Sequence, residues 1–116
     1  YVEMPSCDAP ISGQKDFFRK LVDEGADLVV GTQAHQPQTF EVYNDTPIYY
    51  GLGNLFFDQV WWPGTTRSLI LSHYFYNGKL LQTKLVGTVY GNDMQTRLLN
   101  EDTMKWWIER LMKVRP

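Results

Sequence analysis

Apolar positions along the chain fall into a few short blocks with clear punctuation between them. From Ser12 to Glu24 the pairs Phe17/Leu21 and Phe18/Val22 recur at i,i+4, the spacing of one helix face, with Ser12 as the expected N-cap. Gly25 stands where a helix commonly stops in left-handed geometry. Leu28-Val29-Val30 is a short apolar run that suits a buried strand after a helix. A polar loop, Gly31 to Gln38, follows it. Thr39 to Tyr43 and Ile48 to Tyr50 read as strands around an Asn44-Asp45-Thr46-Pro47 turn, and Leu55-Phe56-Phe57 reads as a further stretch of strand after the Gly51–Asn54 break. Ser68 to Tyr76 and Lys79 to Tyr90 flank Asn77-Gly78, a strong two-residue hairpin signal because both turn positions need positive φ. Asn100 then caps a last helix, Glu101 to about Lys113, with Met104, Trp107, Ile108 and Leu111 on one face. The expected fold is a mixed α/β (α+β) layer: helix, short central strands, long β-hairpin, C-terminal helix.

Composition narrows this picture modestly. The 116 residues are 43% hydrophobic and 15% aromatic, enough for one packed domain and against disorder. The net charge is -2 with no basic block, so the electrostatic footprint of a nucleic-acid binder is missing. A single cysteine, Cys7, leaves no intrachain disulfide to form and the redox compartment undecided. No apolar run approaches the roughly 20 residues that span a bilayer. The chain opens at Tyr1-Val2-Glu3 without an initiator Met, and it is expected to be one partial domain, residues 1–116, cut from a longer protein.

Chemistry concentrates in Gly31-Thr32-Gln33-Ala34-His35-Gln36-Pro37-Gln38. This loop follows a buried strand, where ligands bind in open α/β sheets. His35 offers an imidazole and Gln33, two residues earlier, an amide oxygen; in an extended loop both would face one side. The alternative is a hydrogen-bonded structural histidine. His73 is expected to be an exposed or cross-strand residue of the hairpin. Asn54 is either a polar group near the same crevice or a turn residue, and Glu41 either a functional or a solvated strand carboxylate. Tyr49 and Tyr50 are expected to pack. Of the adjacent Trp61 and Trp62, one is expected to be buried and the other to fill an interface or stack on a ligand.

Glu24-Gly25-Ala26-Asp27-Leu28-Val29-Val30-Gly31, then Gln33-Ala34-His35, then Glu41-Val42-Tyr43, then Pro47 to Asp58 through Gly51-Leu52-Gly53-Asn54-Leu55-Phe56-Phe57, together resemble the bacterial capsule-synthesis (CapA-type, poly-γ-glutamate) family of the calcineurin-like metallophosphatase class. The resemblance runs over about residues 12–60 and is looser beyond. It implies the C-terminal portion of a metallophosphatase sandwich. It also implies a divalent metal (Mn, Fe, Zn or Mg), with Gln33 and His35 as ligand positions, His35 as the catalytic residue, and Glu41 and Asn54 toward substrate. Gln33 departs from the commoner histidine there, as in a subgroup of relatives. The family's earlier ligand motifs are absent, and Glu3 is the nearest match to one upstream acidic position. The metal site in this chain is therefore expected to be half-built and metal-free, and the chain alone inactive. The resemblance implies an anionic polymer or phosphoester as substrate, and an extracytoplasmic or membrane-associated setting. A non-catalytic module that binds or helps export an anionic surface polymer is the alternative. Sheet edges left open are expected to pair chains with one another.

Overall fold

A computed structural model describes residues 8–114, so Glu3 and Cys7 lie outside the described residues. Among the described residues two helices pack on two three-stranded sheets, a mixed α/β arrangement as the hydrophobic pattern predicts.

Helix α1 spans Ser12–Asp23. Ile11, not Ser12, occupies the N-cap, with no side-chain cap bond, so Ser12 is the first helical residue. The C-terminus closes as the sequence indicates: Gly25 (φ 105°) donates to the Val22 carbonyl and Ala26 to the Leu21 carbonyl, the paired bonds of a Schellman stop. Only one of the two i,i+4 pairs reaches the core. Phe18 and Val22 pack inward, whereas Phe17 and Leu21 stay exposed.

Strands β1 (Val29–Val30), β2 (Phe40–Tyr43) and β3 (Thr46–Tyr49) form the first sheet in the order β1-β3-β2. β1 runs parallel to β3, with Val29 opposite Ile48, and β2 runs antiparallel to it. The β2–β3 connection is tighter than the sequence suggests. Asn44 (φ 47°) and Asp45 (φ 62°) alone make the turn, and Thr46 and Pro47 already belong to β3. Pro47 is tolerated in this central strand because β1 reaches only Ile48 and Tyr49 and asks nothing of the Pro47 nitrogen. One face of the sheet carries Val29 and Ile48, followed by Tyr50, against α1, where the Phe18 and Tyr50 rings stack at 5.5 Å. On the other face, Tyr49 meets Phe40 at 5.6 Å and His73 at 5.9 Å.

The second sheet is built from β4 (Arg67–Tyr76), β5 (Lys79–Tyr90) and β6 (Thr96–Leu98), ordered β4-β5-β6 and antiparallel throughout. Asn77 (φ 48°) and Gly78 (φ 74°) form the anticipated two-residue turn. The register slips once: Tyr74 faces Gln82 and Phe75 faces Leu80, which leaves Leu81 as the extra, exposed residue of a bulge. His73 Nδ1 lies 2.9 Å from Thr83 Oγ1 in the opposite strand, the cross-strand position expected of it.

Helix α2 spans Glu101–Lys113, capped by Asn100, whose side chain accepts from the Thr103 N–H at 2.8 Å. Its Trp107 and Leu111 join Leu69 in a second core that also takes in Phe40, Leu52 and Leu99. Fully buried Thr39 ties this helix to the first sheet: its hydroxyl lies 2.7 Å from the Leu111 carbonyl oxygen and 3.0 Å from that of Val114.

Two sequence expectations fail. Leu55-Phe56-Phe57 is not a strand but exposed loop, because the backbone before it is already committed to isolated bridges at Leu52 and Gly53. Neither tryptophan of the Trp61-Trp62 pair is buried. They precede a short 3-10 turn, Pro63–Thr66, and both are exposed.

Candidate functional site

The loop carrying His35 leaves the end of β1, where the Gly31 N–H donates to the Tyr49 carbonyl at 2.7 Å. Its second half is pinned. Gln38 donates from its backbone to the Gly51 carbonyl at 3.0 Å and from its side chain to the Ala9 carbonyl at 3.1 Å. The Gln36 amide reaches Asp8 at 3.1 Å, and Asp8 in turn meets Arg110 of α2 at 3.4 Å.

Gly51-Leu52-Gly53-Asn54 threads between this loop and β4. Leu52 bridges Pro37 on one side and Gly53 bridges Ser68 on the other, while Leu69 donates to the Leu52 carbonyl at 2.8 Å. Gly53 has φ +76°, and a Cβ there would collide with the Arg67 carbonyl and come within 2.6 Å of Pro37 Cδ. Only glycine lets the three segments approach this closely. What the sequence marks as a strand break is therefore a clamp that holds the His35 loop beside residue 54.

The clamp delivers Asn54 to His35. His35 Nδ1 and Asn54 Oδ1 are 3.2 Å apart, and the Phe57 ring lies 5.3 Å from the imidazole. Asn54 is fixed from behind: its amide nitrogen donates to the Thr65 carbonyl at 3.1 Å, and the buried Tyr90 hydroxyl donates to the same oxygen at 2.8 Å. Thr65 is held in turn by its own hydroxyl, 2.8 Å from the Gln59 and Trp62 carbonyls. Thr65 and Tyr90 carry no sequence signal for this role, since they lie 11 residues from Asn54 and 25 residues from Thr65 respectively.

The remaining candidates lie differently. Gln33 is exposed and has φ 77°, so the loop is not extended there and the alternation that would align it with His35 does not hold. Glu41 sits on β2 facing α1. Arg19 grips its carboxylate with two bonds, Nε to Oε1 at 3.0 Å and Nη2 to Oε2 at 2.6 Å, and the Tyr50 hydroxyl donates to Oε1. The Arg19 bonds hold Glu41 below the usual carboxylate range against the opposing effect of burial. Burial, then the bond to Glu41, pushes the Tyr50 hydroxyl upward. The structure thus joins His35 and Asn54 in one cluster and places Glu41 in a separate one with Arg19 and Tyr50.

The family resemblance implies a divalent ion. Among the described residues no group of three or more His, Cys, Asp or Glu side chains could hold one. Among the described residues His35 is joined by the Asn54 amide and the Phe57 ring, with no carboxylate bonded to it. Such a donor set does not by itself fit a metal centre.

The stretch from the loop before α1 to the Phe57 loop is where a protein-family model matches. Residues 6–59 fit the model of the bacterial capsule synthesis protein family, PGA_cap, and this stretch is similar to that CapA-type family. Curated relatives include the PGA biosynthesis protein CapA of Bacillus subtilis, 41% identical over 69 residues, or 60% of this chain and 18% of that protein. The capsule biosynthesis protein CapA of Bacillus anthracis is 39% identical over 69 residues, 60% of this chain and 17% of that protein. A probable polyglutamine synthesis accessory protein of Mycobacterium tuberculosis is 38% identical over 47 residues, 40% of this chain and 12% of that protein. The matched stretch covers less than a fifth of the length of these relatives.

Proposed function

We propose that this chain is a segment of a protein of capsule or poly-γ-glutamate synthesis, and that it contributes His35 to the ligand site of a phosphoesterase-like hydrolase. Relatives whose names state that biosynthetic role support the first part. The observation that carries the second is the His35–Asn54 pair: an exposed imidazole after β1, inside the family-matched stretch, held by a clamped loop. An imidazole so placed can take or give a proton, or meet an anionic oxygen of a phosphoester or polyglutamate-like substrate. The divalent ion of the family resemblance (Mn, Fe, Zn or Mg) is part of this reading. Its other ligands would have to come from outside the described residues, with His35 as this chain's contribution.

The alternative is a non-catalytic module that binds or helps export an anionic surface polymer. Metal analysis and a phosphoesterase assay on a full-length protein carrying this segment separate the two. Bound metal with turnover supports the hydrolase; a metal-free, inactive protein that binds polyglutamate supports the module.

A further inference from the structure

The chemistry of the Asn54 contacts determines more than proximity. The Thr65 carbonyl can only accept, so the Asn54 side chain must turn its NH2 group toward it, and this orientation follows whichever way the amide is drawn. The Tyr90 hydroxyl donates to the same oxygen and helps fix it in place. Asn54 therefore presents its carbonyl oxygen to His35, and an acceptor at 3.2 Å requires Nδ1 to carry the hydrogen. In a neutral imidazole the other nitrogen is then bare.

We propose that Asn54 is a positioning residue that locks His35 in the Nδ1–H tautomer, so that the Nε2 lone pair is the one offered to a proton or ligand. The chain of control runs from Tyr90 and Thr65 through Asn54 to His35, with Gly53 holding Asn54 at the required place. The functional meaning of the lock rests on His35 being the reactive group. The tautomer itself does not, so the two fail separately.

The test is nitrogen NMR of the uniformly 15N-labelled chain, with long-range ring correlations recorded at about pH 9, well above the ordinary imidazole range. His73 is the only other histidine, and a His73→Asn chain makes the assignment unambiguous. The expected spectrum shows His35 protonated at Nδ1 and bare at Nε2. Asn54→Leu removes the acceptor and should shift the ring toward Nε2–H. Backbone amide spectra of each variant report whether the fold survives. An Nε2–H ring in the unsubstituted chain overturns the proposal, as does the same Nδ1–H pattern in a folded Asn54→Leu chain. If the lock is found but His35→Ala leaves the full-length protein's activity intact, the tautomer assignment stands and the hydrolase reading fails.

Discussion

At the scale of single residues, the candidate site depends on positions that look ordinary in the sequence. Gly53 is the clearest. Any other residue would face both a left-handed backbone and a collision with the Arg67 carbonyl and Pro37. Gly53→Ala should destabilise the chain by about 2 kcal/mol or more, read as a lowered denaturant midpoint, and should break the His35–Asn54 contact. An unchanged midpoint would show that the clamp is not under this constraint. His35 was legible as a candidate because imidazole is a versatile side chain in a loop after a strand. The partner that orients it was only half legible: Asn54 stood out beside glycines, but its fixing by Thr65 and Tyr90 depends on long-range contacts that no local pattern encodes. Gln33 illustrates the opposite error, since a period-two argument fails wherever one residue adopts positive φ.

At the scale of elements, the ion pair between Arg19 of α1 and Glu41 of β2 fastens the first helix to its sheet, and Arg19 also lies over the Tyr43 ring at 4.8 Å. Because the folded state lowers the Glu41 pKa, the stabilisation is fully present above the ordinary glutamate value, about pH 4.3, and is lost as pH falls through the depressed folded value. Glu41→Gln should therefore lower stability at neutral pH by about 1–2 kcal/mol and flatten its dependence on pH below about 4. Acid titrations of both chains, followed by circular dichroism, check this; parallel curves would deny the pair that role. The elements best read from sequence were those with strong local chemistry: the Asn77-Gly78 hairpin, the Gly25 stop and the Asn100 cap. β6 went unread because its three residues are all exposed and show no alternation. Leu55-Phe56-Phe57 was misread because an apolar run signals a strand only where something covers it.

At the scale of the molecule, much apolar surface is uncovered. Phe56, Trp61, Tyr74, Phe75 and Tyr76 are all more than half exposed. Among the described residues β4 is an edge strand, and from Ile70 to Tyr76 it carries no Lys, Arg, Asp or Glu to discourage strand pairing. Self-association through such edges is accordingly proposed. Sedimentation velocity of the 116-residue chain should show concentration-dependent assembly that Ile70→Lys with Phe75→Lys suppresses. A chain that stays monomeric at all concentrations would contradict it.

The central claim is that His35 works in the hydrolytic site of a capsule-synthesis protein. Its most direct test is phosphoester hydrolysis by a full-length protein carrying this segment, measured with and without His35→Ala. The account predicts that the substitution lowers turnover at least about 100-fold while the fold survives, and that the 116-residue chain alone shows none. Turnover by the full-length protein that His35→Ala leaves unchanged, or turnover by the isolated chain, would contradict it.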